Sequence, residues 1–180
     1  MFNLTPNLSN EYVLVRPLLQ KDFEGLYACG GDKRIWAGHP NTNRYQRKEF
    51  EQWFANAVES KSALTVIDNR TTKIIGSTRF YFEAIPNNCV AVGYTFLSYE
   101  YWGGKTNYQL KSLMFDYAFI YYTSIWVHIA PLNIRSQKAI LKLGAEHVKD
   151  EVVSLGKGKP ACYQFYKIDR GQWLKIKSER

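Results

Sequence analysis

The sequence predicts a mixed α/β (α+β) fold: one domain over residues 1–180, with a largely antiparallel sheet of seven strands and about four helices on its faces. Runs of alternating apolar residues interleave with runs at helical spacing, in the order β, α, α, β, β, β, α, β, α, β, β. Clusters of Gly, Pro and Asn punctuate those runs. A chain of 180 residues that is 46% apolar and 22% charged has the size and composition of one ordinary globular unit, so long disorder and collagen-like structure are excluded.

The first strand is read over Glu11 to Leu18, where Tyr12, Leu14 and Arg16 alternate with Val13 and Val15 and Pro17 closes the run. A short helix follows from Lys21 to Cys29 and stops at Gly30-Gly31-Asp32. Lys33 to Asn43 reads as a loop. From Arg47 to Ser60, Phe50, Trp53, Phe54, Ala57 and Val58 fall at i, i+3, i+4, i+7 and i+8, an amphipathic helix. Ser62 to Ile67 and Lys73 to Phe82 form a hairpin around the turn formers Asp68 to Thr72.

A turn at Pro86-Asn87-Asn88 leads into Cys89 to Ser98. Alternation there places Val90, Val92, Tyr94 and Phe96 on one face and Ala91, Gly93, Thr95 and Leu97 on the other. The period then changes. Leu110, Leu113, Met114, Tyr117 and Ala118 mark a helix from about Lys105 to Tyr122. Ser124 to Ala130 is a short apolar strand, and Asn133 to Leu143 is a helix capped by Asn133 and stopped by Gly144. Two last strands, Ala145 to Leu155 and Ala161 to Asp169, flank the Gly156-Lys157-Gly158-Lys159-Pro160 turn.

Composition narrows the function classes. Cys29, Cys89 and Cys162 are odd in number and lack metal-ligand spacing, so neither a disulfide framework nor a metal site is expected. Met1 to Asn10 has no basic segment followed by an apolar run, and the apolar stretch Tyr117 to Pro131 falls short of the ~20 residues of a membrane span. A cytoplasmic protein without membrane association is expected. A net charge of +8 favours anionic ligands. The basic residues are scattered over helices, loops and the tail Lys175 to Arg180, and no RRM aromatic motif is present, so direct nucleic-acid binding is not expected.

Chemistry concentrates at two strand-to-helix transitions. The first is Tyr99-Glu100-Tyr101-Trp102-Gly103-Gly104-Lys105-Thr106-Asn107. Unpaired N–H groups and the positive dipole end of the following helix suit a phosphate, and the two glycines permit close backbone approach. Gly104-Lys105-Thr106 matches the end of a P-loop, but Tyr99 stands where its first Gly belongs, and an NTPase is set aside. The second transition is Asn133-Ile134-Arg135-Ser136, in which Asn133 also reads as an ordinary cap.

Together these motifs resemble the GNAT superfamily of acetyl-CoA-dependent N-acyltransferases, in its RimJ/RimL-like branch. Val92 to Leu97 is similar to the strand before the CoA loop, Tyr99 to Tyr108 to the loop, and Phe115 to Phe119 to the end of the next helix. Asn133-Ile134-Arg135-Ser136 with Leu141 to Ala145 resembles the Asn-x-Arg-Ser helix and its exit. The loop departs from the usual pattern, with Trp-Gly-Gly-x-x-Asn and with Lys105 and Asn107 at its later places. Ala91 stands where many relatives carry a Glu base.

The resemblance implies a sheet splayed near strands 4 and 5, acetyl-CoA as co-substrate, no metal, and direct attack by an acceptor amine in a ternary complex. It places CoA against Leu97, Gly103, Gly104, Lys105, Thr106, Asn107, Tyr108, Asn133 and Ser136, and makes Ser136 the proton donor to the departing thiolate. Acceptor contacts are expected from Trp36, His39, Tyr45, Arg79 and Tyr81. The base is left among Glu83, His128, Glu151 and a held water. The acceptor is a protein N-terminus or a small amine, and the assembly a monomer or homodimer. The competing readings are a non-catalytic acyl-CoA-binding fold and an RNA- or ribosome-binding module.

Overall fold

A computed structural model describes residues 1–179; Arg180, the end of the basic tail, lies outside the described residues. One open sheet holds eight strands: β1 (Leu8–Ser9), β2 (Val13–Pro17), β3 (Ala63–Asp68), β4 (Ile74–Tyr81), β5 (Val90–Leu97), β6 (Ser124–Ile129), β7 (Glu146–Val153) and β8 (Ala161–Asp169). Their order is β1-β2-β3-β4-β5-β6-β8-β7, antiparallel at every pairing except β5 with β6. The mixed α/β, mostly antiparallel architecture agrees with the sequence reading.

The helices are α1 (Phe23–Gly30), α2 (Lys33–Trp36), α3 (Arg47–Glu59), α4 (Thr106–Tyr121), α5 (Ile134–Leu141) and α6 (Arg170–Ser178). Among the described residues, six helices and eight strands exceed the four and seven read from sequence. β1 has two residues and α2 four, too short for any period to register. The segment read as a loop from Lys33 to Asn43 therefore opens with one helical turn, whose Asp32 cap accepts the Arg34 N–H at 2.9 Å. Among basic and exposed neighbours, α6 carries a single fully buried side chain, Trp173, whose Nε1 donates to Asp116 Oδ1 at 2.7 Å.

Two apolar layers sandwich the sheet. On one face, Leu110, Met114, Phe115 and Ala118 of α4, Ile140 of α5 and Trp173 of α6 pack on Val13, Val66, Phe80, Val92 and Ile125. On the other, α1, α2 and α3 bring Leu26, Trp36, Phe50, Trp53 and Phe54 against Ala63 and Phe96. Beyond them Tyr81, Ala91, Trp126 and Phe165 continue this second face.

One irregularity shapes everything that follows. Ser77 pairs with Phe96, but Arg79 pairs with Gly93, so β5 spends one residue more than β4 over this stretch. Tyr94 takes φ +51° at that bulge. An extra residue reverses the phase of the side chains beyond it. Alternation put Val90, Val92, Tyr94 and Phe96 on one face; instead Val90 and Val92 face α4, while Phe96 joins the α1–α3 layer and Tyr94 packs with Tyr81 and Ala91. The bulge also bends β5 out of the sheet. β5 and β6 pair only at Val90 with Ile125 and Ala91 with Trp126, and their C-terminal halves diverge.

Candidate active site

The opening between β5 and β6 leads to the starts of α4 and α5. Leu97 remains hydrogen-bonded into the sheet beside Gly76, and its carbonyl accepts the Trp102 indole N–H at 3.0 Å. The chain then turns through a short 3-10 segment, Tyr99–Tyr101, held from below by the Tyr101 hydroxyl, which donates to buried Asp68 at 2.8 Å. Gly103 has φ +75°, a conformation that L side chains adopt only at a cost. A Cβ on either Gly103 or Gly104 would meet nothing within 4 Å.

Gly103, Gly104 and Lys105 are exposed, and Thr106, Asn107 and Tyr108 begin α4. The first-turn N–H groups of a helix have no helical acceptor, and the Lys105 side chain supplies no cap. The result is an open backbone cradle at the positive end of a 16-residue helix. That is the arrangement a diphosphate requires, so the residues present fit CoA.

Across the opening, Asn133 Oδ1 accepts the Ser136 N–H at 3.2 Å, so the cap role read from sequence is present. The half-buried Ser136 hydroxyl has no hydrogen-bond partner among the described residues and stays available. The guanidinium of Arg135 lies 3.3 Å above the Trp102 ring, itself 4.9 Å from the Tyr99 ring. Trp102 thereby ties the Gly103-Gly104 loop to both the end of β5 and the start of α5. Trp102 and Arg135 stand inside the two sequence motifs, and nothing local in the sequence marks this positioning role.

The expected acceptor residues lie on the α1–α3 face. Trp36 is 4% exposed, donates its indole N–H to the Gly30 carbonyl at 2.7 Å and packs on Phe96. Tyr45 is half-buried at the edge of the same layer. His39 accepts the Asn41 N–H at Nδ1, 2.9 Å, and its Nε2 lies 3.0 Å from Arg44 Nη1. Burial, with the Arg44 charge added, holds this imidazole down at about 3. Arg79 spreads 4.3 Å over the Tyr94 ring, and Tyr81 meets Tyr94 edge-on at 5.1 Å. Arg79 and Tyr81 thus gather at Tyr94 of the bulge, whereas His39 sits with Arg44 and Trp36, and Trp36 and Tyr45 mainly pack.

Of the candidate bases, His128 sits closest to this group. Its Nδ1 is 2.9 Å from the Tyr81 hydroxyl, its Nε2 is buried without a hydrogen bond, and burial lowers it to about 4. Glu83 is exposed and accepts the Gly156 N–H at 2.6 Å. Glu151 is exposed on β7 and ion-paired with Lys149. Ala91 is fully buried and pairs with Tyr81 and Trp126. Among the described residues no group of His, Cys, Asp and Glu has the geometry of a metal site, and no helix is long and apolar enough to cross a membrane.

Two cations, half-buried Arg44 and buried Lys111, are absent from the sequence reading. Arg44 lies beside His39, and Lys111 on α4 is 7% exposed and donates to Thr95 Oγ1 at 2.9 Å. Neither carries a local sequence signal, since each is an isolated basic residue in a polar or amphipathic stretch.

The profile of the acetyltransferase (GNAT) domain matches residues 13–146. No curated protein matches significantly. Solved structures agree in fold. A GCN5-related N-acetyltransferase from Brucella melitensis is 19% identical, with TM-score 0.82 over 97% of this chain and 83% of that one. Spermidine N-acetyltransferase from Vibrio cholerae, in complex with CoA and spermine, is 15% identical, with TM-score 0.67 over 92% and 99%. A protein provisionally assigned as a ribosomal-protein-serine acetyltransferase from Vibrio cholerae is 15% identical, with TM-score 0.72 over 91% and 97%. With more than half of the sequence inside the matched profile and the splayed sheet it requires in place, the chain belongs to the GNAT acetyltransferase family.

Proposed function

We propose that this chain is a single-domain, cytoplasmic N-acetyltransferase of the RimJ/RimL-like branch, using acetyl-CoA to acetylate a primary amine. The observation that carries the reading is the convergence of two helix starts, one over Gly103-Gly104 and one at Asn133, on the opening between β5 and β6. Backbone N–H groups from Gly104 to Tyr108 hold the diphosphate, with Lys105 adding charge, and the Leu97 backbone aligns the pantetheine arm. When bound, acetyl-CoA supplies a thioester carbon to which the amine nitrogen bonds as the C–S bond breaks. Ser136 gives its hydroxyl proton to the departing sulfur and regains one from solvent, while the proton lost by the acylated nitrogen passes to a held water. The neighbours from Vibrio cholerae named for spermidine and ribosomal-protein-serine acetylation support an amine acceptor, small or protein-borne.

The direct test combines calorimetry with CoA and incubation of labelled acetyl-CoA with peptide and small amines. Micromolar CoA binding and transfer of label to an amine are expected. Absence of CoA binding to the folded protein sinks the reading. Ala91 favours one second reading, a fold that binds acyl-CoA without catalysis, and CoA binding without transfer to any amine selects it.

Ser136→Ala is expected to lower kcat by about 10- to 100-fold with little change in KM for acetyl-CoA, because a donor to the thiolate acts mainly in the transition state. Should the variant instead lose thermal stability or CoA affinity at unchanged kcat, Ser136 is a structural residue.

The pH profile follows from the missing Glu. Burial keeps His128 at about 4 and His39 at about 3, so both rings are already neutral above roughly pH 6 and contribute no limb there. The rising limb of kcat/KM is then set by the acceptor, near pH ~8 for a peptide N-terminus and ~10 for a lysine-like amine. Profiles for two acceptors of different basicity check this. One limb shared by both acceptors and abolished by Glu83→Gln or Glu151→Gln assigns the base to that carboxylate.

A further inference from the structure

Resting on the acetyl-transfer reading, we propose that the acceptor amine carries an anionic group, a carboxylate or a phosphate, and that Arg79 and Arg44 bind that group on the α1–α3 face of the sheet. Arg79 is 7% exposed, set on β4 between Ala63 and Gly93. Its Nε is buried without a partner, and the guanidinium has no hydrogen bond or ion pair among the described residues. The Nε–H therefore goes unused in a dry place, and the terminal N–H groups of the fork have no acceptor among the described residues. The face of Tyr94 at 4.3 Å contributes ~2 kcal/mol at most and satisfies none of those donors, and Glu83, which accepts the Tyr94 hydroxyl at 3.4 Å, acts on Arg79 without bonding it.

Arg44 repeats the pattern from the loop between α2 and α3. Its Nε is also buried and unpartnered, its Nη1 meets only the neutral His39 ring at 3.0 Å, and its guanidinium stands 5.0 Å over Trp36. The nearest carboxylate, Glu49, is engaged by Asn41 at 2.9 Å. The two guanidiniums feel each other: burial and the Arg79 charge bring Arg44 down to about 10 despite Tyr163, Glu49 and Tyr94 around it. Arg16 on β2 shows what a paired arginine looks like in this protein, forked onto Asp22 at 2.7 and 2.8 Å.

Buried Arg79 and half-buried Arg44 feel Glu83 and Glu49 only at a distance and form no ion pair among the described residues, so an anionic ligand gives them the direct partner they lack, and guanidinium forks match carboxylate and phosphate oxygens. They repel a polycation. The acceptor of this chain thus differs in class from the spermine bound to the Vibrio cholerae neighbour. The pair lies at Gly93, beside the bulge, on the face away from α4. An anion held there leaves an amine on the same molecule free to reach the β5–β6 opening.

The test uses acetyl-CoA with two matched acceptor pairs: glycylglycine against its amide, and a hexosamine phosphate against the hexosamine. In one pair the anionic member is expected to show at least about tenfold higher kcat/KM, falling below about twofold in Arg79→Gln and partly restored in Arg79→Lys, with CoA affinity unchanged. The responding pair separates carboxylate from phosphate. The melting temperature of Arg79→Gln is expected to hold or rise, since an uncompensated buried charge is removed. Equal use of both members by the wild type overturns the proposal, as does discrimination that survives Arg79→Gln or a loss of CoA affinity in its place.

Calorimetry of the wild type with the N-acetylated products reads the site without catalysis. If the anionic products bind and their neutral counterparts do not, the anion site stands even when no amine is acetylated, and it is the transfer reading that fails. If acetylation proceeds on neutral amines while no anionic product binds more tightly, the anion site fails and the transfer reading stands.

Discussion

Gly104→Val is expected to weaken CoA binding by at least about tenfold while leaving the melting temperature nearly unchanged. Nothing lies within 4 Å of a Cβ at this position, so the folded protein accommodates the branched side chain without moving. A ligand oxygen that accepts from these backbone N–H groups must come to about 2.9 Å, into the volume the two methyls then fill. Gly103 is a poorer probe, because its φ of +75° adds backbone strain to any side chain and mixes stability with binding. Calorimetric titration of both proteins, with thermal melts alongside, decides the matter. An unchanged Kd removes the loop from the CoA site, and a large drop in melting temperature makes Gly104 a structural glycine.

Lys111→Met is expected to stabilise the protein by roughly 2 to 4 kcal/mol at pH 7 and to flatten its stability between roughly pH 7 and 9. Burial alone pushes the Lys111 ammonium down from 10.5 to about 7, and its one partner is a neutral threonine hydroxyl at 2.9 Å. The folded value lies below the unfolded one, so above pH 7 the unfolded chain binds the extra proton. Stability of the wild type therefore rises with pH by about 1.4 kcal/mol per unit through this window, and is lost again as pH falls toward 7. His39 and His128, lowered by burial, act below the window, and the tyrosine hydroxyls raised by burial act above it. Denaturant unfolding of both proteins at several pH values checks the slope. A wild-type curve as flat as that of the variant means that Lys111 keeps an ordinary ammonium.

The elements read correctly from sequence are those whose local signal is strong enough to stand alone. The i, i+3, i+4 pattern of Phe50, Trp53, Phe54 and Ala57 becomes the buried stripe of α3 with Val58 left exposed at its edge, and of the α4 pattern Leu110, Met114 and Ala118 are buried, with Phe115, while Leu113 and Tyr117 are half-buried. The Asn133 side chain caps α5 because a short polar group before a helix has few better partners than the Ser136 N–H. Such features depend on neighbours in the chain. They bring the two helix starts of the candidate site into view from the sequence alone.

The bulge, the extra helix and the buried charges depend on partners far away in sequence. Tyr94 has no local reason to adopt φ +51°; only the register of β5 against β4 demands one more residue there. That single residue turns Phe96 toward the α1–α3 layer, parts β5 from β6 and opens the site. α6 is held by Trp173, which finds Asp116 57 residues away at 2.7 Å. Arg44 and Lys111 read as ordinary surface cations along the chain, and Arg79 only as an expected acceptor contact. Their meaning comes from desolvation without an ion pair, a property of the assembled sheet and helices that short-range sequence cannot carry, because desolvation is imposed by whatever the fold packs around them.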